Sequence, residues 1–381
     1  MMYFVSNTKG VLKKMEYITL NNGVKMPIIG TGTNTYGKEN NEFSGALKNE
    51  IPELVSALEL GYRSIDAAIM YRNEALVGRV LAESTVPREE LFITTKVPAS
   101  EEYISSKEAT RAAIDNSLKN FQTDYLDLLL IHHPIEDKVQ LQNTWEVFEE
   151  YYEAGKLKAI GVSNFLKHHL DELKQFAKVK PAVNQIQINL KERNKELLAV
   201  LKEEGITPVA WGPMKAEAFH KEALEEIGET YNKTGAQVLL KYQIERGVVV
   251  IPKSHSRENQ AANLDLFDFQ LTAADVEKIT AAWFDAVDYL QANYDESVKI
   301  IADAAGISEE EMRVGLEGFK FFSIEENKAA LAEGDSFESI YYTIEKNAEF
   351  LKKLGFIDEV PDFKDFLNPA FIEAELERAK E

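Results

Sequence analysis

Between Ile28 and Ala282, short apolar runs rich in β-branched residues alternate eight times with amphipathic stretches, and no other feature restricts the fold as much. The expected strands are residues 28–31, 64–67, 91–97, 126–132, 158–163, 182–188, 207–211 and 248–253. The expected helices are 51–60, 75–83, 107–121, 144–154, 166–176, 194–204 and 221–234, with 274–282 closing the set. Repeated alternation demands a parallel sheet with crossover helices. Eight such units over roughly 250 residues match the size of a (β/α)8 barrel. A doubly wound open sheet usually carries a glycine-rich dinucleotide turn after its first strand. Here that position reads Gly30-Thr31-Gly32-Thr33 and lacks the third glycine. The expected fold class is therefore α/β, a (β/α)8 TIM barrel. Ahead of it, residues 17–20 and 24–26 flank Asn21-Asn22-Gly23 and predict a β-hairpin able to plug the barrel floor.

After Ala282 the texture changes to an all-helical extension. Amphipathic patterns predict helices at 283–291, 296–304, 309–316, 325–333, 336–354 and 370–380. Residues 283–381 hold 24 acids against 10 bases, a net of −14, whereas the preceding 282 residues hold 40 against 33, a net of −7. Such a shift predicts a boundary there. The segment also carries 15 of the 38 aromatic residues, so it is not a disordered acidic tail. The expected organisation is an N-terminal extension (1–16), a barrel (17–282) and a helical extension (283–381). A net charge of −21 makes nucleic acid and anionic membrane poor partners. The absence of cysteine excludes a disulfide scaffold, thiolate metal sites and a cysteine nucleophile. Apolar runs are strand-sized and the first residues do not read as a signal peptide, so the expected compartment is cytoplasmic.

In a barrel, chemistry collects at the C-terminal ends of the strands. There the sequence places Asp66 with Tyr71 close behind, Lys96, His132-His133, Ser163-Asn164, Asn184-Gln185, Trp211 and Lys253-Ser254. An acid, a phenol, an ammonium and an imidazole thus share one mouth. A free phenol, with a pKa near ~10, gives up its proton reluctantly. A nearby ammonium lowers that pKa, a carboxylate holds the ammonium, and an imidazole can bond the reacting oxygen and help carry the proton. The set suits protonation of a carbonyl oxygen while hydride reaches carbon. Other uses remain open: Trp211 as packing, Ser163-Asn164 as helix caps, Asn184 and Gln185 as structural amides, Lys253-Ser254 as surface residues. Adjacent strand residues face opposite ways, so His132 and His133 are not expected to share a metal ion.

These segments resemble the aldo-keto reductase family, in its bacterial diketogluconate reductase-like branch, from about Tyr17 to Ala282. The resemblance rests on Ser64 to Glu74, Thr94-Thr95-Lys96, Leu130 to Pro134, Gly161 to Phe165, Val183-Asn184-Gln185, Ala210 to Pro213 and Ile251 to Ser254. It implies Tyr71 as general acid, Lys96 lowering its pKa, Asp66 pairing with Lys96 and His132 orienting the carbonyl. It implies Ser163, Asn164 and Gln185 on the nicotinamide amide and Trp211 against the nicotinamide ring. Lys253, Ser254 and Arg257 would meet the adenosine phosphate, and Asn263 the adenine. The implied cofactor is NADPH, with NADH left open, because the usual phosphate-clamping arginine is Asn259 here. Two further departures are His133, often tryptophan, and Ala262, often acidic. The implied partner is a small carbonyl substrate, and no metal is called for.

The extension is similar instead to the C-terminal helical part of nitrate/taurine-type ABC-transporter solute-binding proteins. The similarity rests on Trp283 to Leu290, Ala304 to Ser308 and Phe350 to Gly355. It implies a fusion, and a surface for self-association. A non-catalytic nucleotide-sensing or docking protein that uses this tail is the alternative reading.

Overall fold

A computed structural model describes residues 4–5, 13–190, 192–214, 221–276, 278–279, 294–305 and 308–317. Two compact units are present: Met1–Ala216 with Leu224–Thr272, and Glu217–Ala223 with Ala273–Glu381.

The first unit is the barrel. A two-residue ribbon, β1 (Phe4–Val5) with β2 (Lys13–Lys14), precedes the hairpin β3 (Tyr17–Thr19) and β4 (Lys25–Pro27). The hairpin register is Tyr17↔Pro27, Ile18↔Met26 and Thr19↔Lys25, and Gly23 takes the left-handed turn at φ 88. Eight parallel strands follow: β5 (Thr31–Gly32), β6 (Ser64–Asp66), β7 (Phe92–Val97) and β8 (Leu128–Ile131), then β9 (Ile160–Ser163), β10 (Val183–Gln187), β11 (Thr207–Trp211) and β12 (Val249–Val250). They pair in sequence order. Ile29, just ahead of β5, bridges Val250 in parallel, so the sheet returns on itself.

Strand alternation sorts the core into two layers. Phe92, Leu128, Leu130, Val183, Val209 and Val249 fill the inside, where Leu20 and Met26 of the hairpin join them. Asn21 and Asn22 donate to Pro181 O and Lys158 O, ahead of β10 and β9, which seats the hairpin at the strands' N-terminal ends as expected. Ile65, Ile93, Leu129, Ile131, Val162 and Ile186 face outward into the larger cluster beneath the helices. Gly161 has no room for a side chain: a Cβ there would lie 2.6 Å from Val183 O and 2.8 Å from Leu130 Cδ2.

The helices are α1 (Pro52–Leu60), α2 (Glu74–Glu83), α3 (Glu101–Ile104), α4 (Lys107–Phe121), α5 (Lys138–Glu153) and α6 (Lys167–Lys174). Next come α7 (Lys195–Glu204), α8 (Lys221–Tyr231), α9 (Gly235–Glu245) and α10 (Arg257–Asn263). Seven match expected helices; α5 starts earlier, because Asp137 caps it by accepting from Gln140 N. Three were not anticipated: α3, α9 and α10. Glu74 opens α2 and is buried; Thr95, Ser117 and Asn120 all donate to it, tying α2 to β7 and α4.

In the second unit, residues 273–276 and 278–279 are helical. There α11 (Tyr294–Ala305) packs on α12 (Glu309–Glu317), and Arg313 pairs with Asp295 at 2.6 Å. Ser308 and Glu311 form a reciprocal cap, so the acidic run at 309–311 is a solvated helix start. The helices expected at 283–291, 325–333, 336–354 and 370–380 lie outside the described residues, as does the end of 274–282. No described helix is long and apolar enough to cross a membrane.

Candidate active site

A cavity of about 520 Å³ opens at the C-terminal ends of the strands. Asp66, Tyr71, His132, Ser163, Asn164, Gln185, Trp211 and Lys253 all line it. Asp66 ends β6, Lys96 lies one residue before the end of β7, and Tyr71 ends a single 3-10 turn, Ile69–Tyr71. Period-two alternation sends Thr95 outward to Glu74 and Lys96 inward. The Lys96 Nζ donates to Asp66 Oδ1 at 2.7 Å, to Ala67 O at 2.8 Å and to Tyr71 OH at 3.4 Å. Gln185 Nε2 donates to the other Asp66 oxygen at 2.6 Å.

Electrostatics differ from the sequence expectation in two respects. Burial raises the Tyr71 pKa, and this outweighs the lowering by the Lys96 charge; Asp66 adds to the rise. Much of the ammonium's field is spent on the carboxylate 2.7 Å away. Tyr71 therefore holds its proton at neutral pH, as the expected general acid would have to. His132 is pushed down to about 2, first by burial, then by Lys96 and His133. It is a neutral imidazole and cannot carry the proton as a cation. Its Nδ1 is buried without a partner among the described residues. A bare acceptor is tolerated there more readily than an orphaned N–H, which places the hydrogen on Nε2.

The histidine pair also corrects a geometric expectation. β8 stops at Ile131, so His132 and His133 lie beyond the pleat. Their rings stack at 4.6 Å and both line the cavity. Among the described residues no group of three or more His, Asp or Glu is arranged to hold a metal ion.

The amides form a latch across four strands. Asn164, in the left-handed region at φ 62, donates to His132 O at 3.0 Å and Ser163 Oγ at 3.1 Å. It accepts from Trp211 Nε1 at 2.9 Å, while Ser163 Oγ donates to Gln185 O at 2.8 Å. Asn184 instead straps Phe165, donating to its carbonyl at 2.8 Å, which is a structural use. Lys253 Nζ donates to Thr35 Oγ1 at 2.9 Å, and loss of hydration lowers its pKa. Ser254, Arg257 and Asn263 do not line this cavity. Arg257 is held on α1 by Glu59 at 2.8 Å and Ser56 at 3.1 Å.

Sequence reasoning missed the loop before α1, which packs on Tyr71 without lining the cavity. Phe43 is 46% exposed and meets the Tyr71 ring edge-on at 6.2 Å. Its carbonyl accepts from Lys38 at 2.7 Å and Arg72 at 2.9 Å. A lone aromatic in a polar loop carries no periodic signal. Thr33, Asn34, Pro213 and Met214 line the cavity, although none of them was a candidate site residue.

The histidine shift carries a pH prediction. The unfolded chain protonates His132 near 6.5, whereas the folded chain resists until about 2. The unfolded state thus binds more protons between these values, so stability is retained above about 6.5 and falls as pH drops through the window. Denaturation midpoints should decline on acidification, less steeply in His132→Asn. The kcat/KM of any reaction at this site should show no limb where an ordinary histidine titrates. A limb there that vanishes in His132→Asn would contradict the assignment.

Comparison with known proteins gives a consistent picture. The sequence profile of the Aldo/keto reductase family matches residues 28–283. Glyoxal reductase of Bacillus subtilis (strain 168) is 44% identical over 268 residues, covering 70% of this chain and 92% of that protein. The aldo/keto reductase structure from Brucella melitensis superposes with a TM-score of 0.64 at 34% identity, covering 70% of this chain and 99% of that one. A Bombyx mori aldo-keto reductase solved in complex with NADP gives 0.63 at 32% identity, over 70% of this chain and 92% of its own.

Proposed function

The chain belongs to the aldo/keto reductase family, and from that premise we propose that it reduces small aldehydes and ketones with NADPH, Tyr71 being the general acid. The observation that carries this reading is the buried Asp66–Lys96–Tyr71 chain facing a neutral His132 across one cavity. The residues present fit a nicotinamide dinucleotide. Among the described residues Lys253 offers an ammonium, bonded to Thr35 and suited to phosphate, and the indole of Trp211 offers a plane for a ring. Bound there, the reduced nicotinamide supplies hydride to the carbonyl carbon.

The chain's own groups do the rest. His132 Nε2–H donates to the carbonyl oxygen and fixes its place. The Tyr71 O–H gives its proton to that oxygen as negative charge builds on it. Lys96 then donates to the phenolate oxygen and stabilises it, and Asp66 keeps Lys96 charged and aimed. Asn164 holds the Trp211 indole by its N–H. Glyoxal reductase as a relative favours short, reactive aldehydes and dicarbonyls as substrates. Because Arg257 is engaged on α1, phosphate selection falls to Lys253 and Ser254, and NADH remains a usable second cofactor.

We read residues 17–282 as the catalytic unit, 1–16 as an extension and 283–381 as a helical addition available for self-association. Diketogluconate reductase-like ancestry for the barrel, a solute-binding-protein ancestry for the addition and a cytoplasmic setting complete the reading. The test is loss of reduced-cofactor absorbance, with NADPH and NADH in parallel, against methylglyoxal and an aromatic aldehyde. Turnover with a preference for NADPH is expected. Cofactor binding without turnover of either carbonyl would overturn the reading in favour of a nucleotide sensor.

A further inference from the structure

Lys253 is not simply a surface cation at the cavity edge. Its ammonium donates to Thr35 Oγ1, Thr35 Oγ1 lies 2.9 Å from His255 Nε2, and His255 Nδ1 lies 2.9 Å from Glu53 Oε1 on α1. The two ends fix the outer bonds, since an ammonium only donates, so Thr35 accepts from Lys253, and a carboxylate only accepts, so His255 Nδ1 donates to Glu53. The Thr35 oxygen keeps a second lone pair and its one hydrogen for His255 Nε2, so it donates to a neutral imidazole and accepts from an imidazolium. The other Glu53 oxygen, Oε2, is buried without a partner, so the side chain's hydrogen bonding is committed to His255. The Tyr36 ring stands edge-on to the imidazole at 5.4 Å and limits its rotation. Thr35 itself is buried.

We propose that Glu53, His255 and Thr35 form a positioning relay that aims the Lys253 ammonium at the phosphate of a bound dinucleotide. The relay rests on the reading of Lys253 as a phosphate group's partner. A free lysine side chain must give up rotamer freedom when it binds an anion. Thr35 orders this one beforehand, and the remaining ammonium hydrogens are left for the ligand. Preorganisation of this kind appears as affinity, not as a faster chemical step. The relay also supplies, from α1, part of the rigidity lost where Asn259 replaces a charged clamp.

The experiment is a titration of NADPH into the full chain, followed by tryptophan fluorescence, with kcat and carbonyl KM measured alongside. Thr35→Val keeps the shape and removes the acceptor; its Kd should rise about five- to tenfold, the scale of one hydrogen bond and one ordered side chain. His255→Ala should do the same, and His255→Gln, which retains an acceptor, should recover part of the loss. The carbonyl KM should stay, and kcat at saturating cofactor should change less than Kd. Lys253→Ala is the control for the underlying reading. If it weakens NADPH while Thr35→Val does not, the relay is overturned and Lys253 stands. If Lys253→Ala leaves Kd unchanged, the phosphate role of Lys253 falls and takes the relay with it. Parallel loss of Kd, kcat and carbonyl KM in Thr35→Val, with a lowered melting temperature, would show a brace between α1 and the β12 loop and would also overturn it.

Discussion

A Tyr71→Phe variant is expected to lose about 10²–10⁴ in kcat, the usual contribution of a positioned general acid. The exchange removes one oxygen from a buried ring and leaves its packing against Phe43 and His132 in place. Lys96 loses its 3.4 Å contact but keeps Asp66 and Ala67 O, so the ammonium is not stranded. The fold should therefore survive, and NADPH should still quench tryptophan fluorescence. The loss should fall on kcat and kcat/KM together, because the proton transfer is made only in the transition state. Residual activity would come from His132 Nε2–H, which can still polarise the carbonyl. Unchanged turnover would remove Tyr71 from the mechanism and leave its contact with Lys96 as packing.

How much of this could be read beforehand depended on whether a residue belongs to a repeating pattern. The barrel was legible because β-branched runs and amphipathic helices alternate with a fixed polarity. α9 was not singled out although Gln237, Lys241 and Glu245 recur at helical spacing, because Gln237 to Ile244 are all buried and its polar stripe faces neighbouring elements. Its sign was the Thr234–Gln237 capping box, a local cue independent of amphipathicity. α10 was hidden for the opposite reason: its seven residues, Arg257 to Asn263, include no large apolar side chain to mark a core-facing stripe. Asp66 and Lys96 were legible as strand-end residues of opposite charge, with Tyr71 close behind Asp66. The net pKa of Tyr71 was not, because it depends on how much of the Lys96 field Asp66 already absorbs. The stacking of His132 on His133 was missed for want of one fact, that β8 ends a residue earlier. The Glu53–His255–Thr35 contacts span over 200 positions, a separation that no local pattern encodes.

Asp66→Asn should show the largest combined effect on stability and activity. The Lys96 side chain is 0% exposed, and Asp66 at 2.7 Å is the carboxylate that pairs with it. Burial alone would lower the Lys96 pKa; the charge of Asp66, and then Tyr71, more than offset this and raise it. A raised folded pKa gives stability that is fully present below the unfolded lysine value of ~10.4 and is lost only as pH rises through the folded one. The native chain therefore has the whole benefit at neutral pH. Asparagine keeps the shape and a carbonyl but leaves the ammonium uncompensated, and breaking a buried pair in this way costs about 3–5 kcal/mol. The urea midpoint at pH 7 should fall accordingly. The deficit should shrink as pH rises toward 10, where an unpaired buried lysine sheds its proton. Activity should fall as well, because Lys96 without its carboxylate is no longer held against the Tyr71 oxygen and favours the phenolate less. Adding Lys96→Met to Asp66→Asn removes the second charge, so stability should return while activity does not. An Asp66→Asn protein with the native midpoint at pH 7 would show that Lys96 is not held by this pair, and the tuning of Tyr71 would need another source.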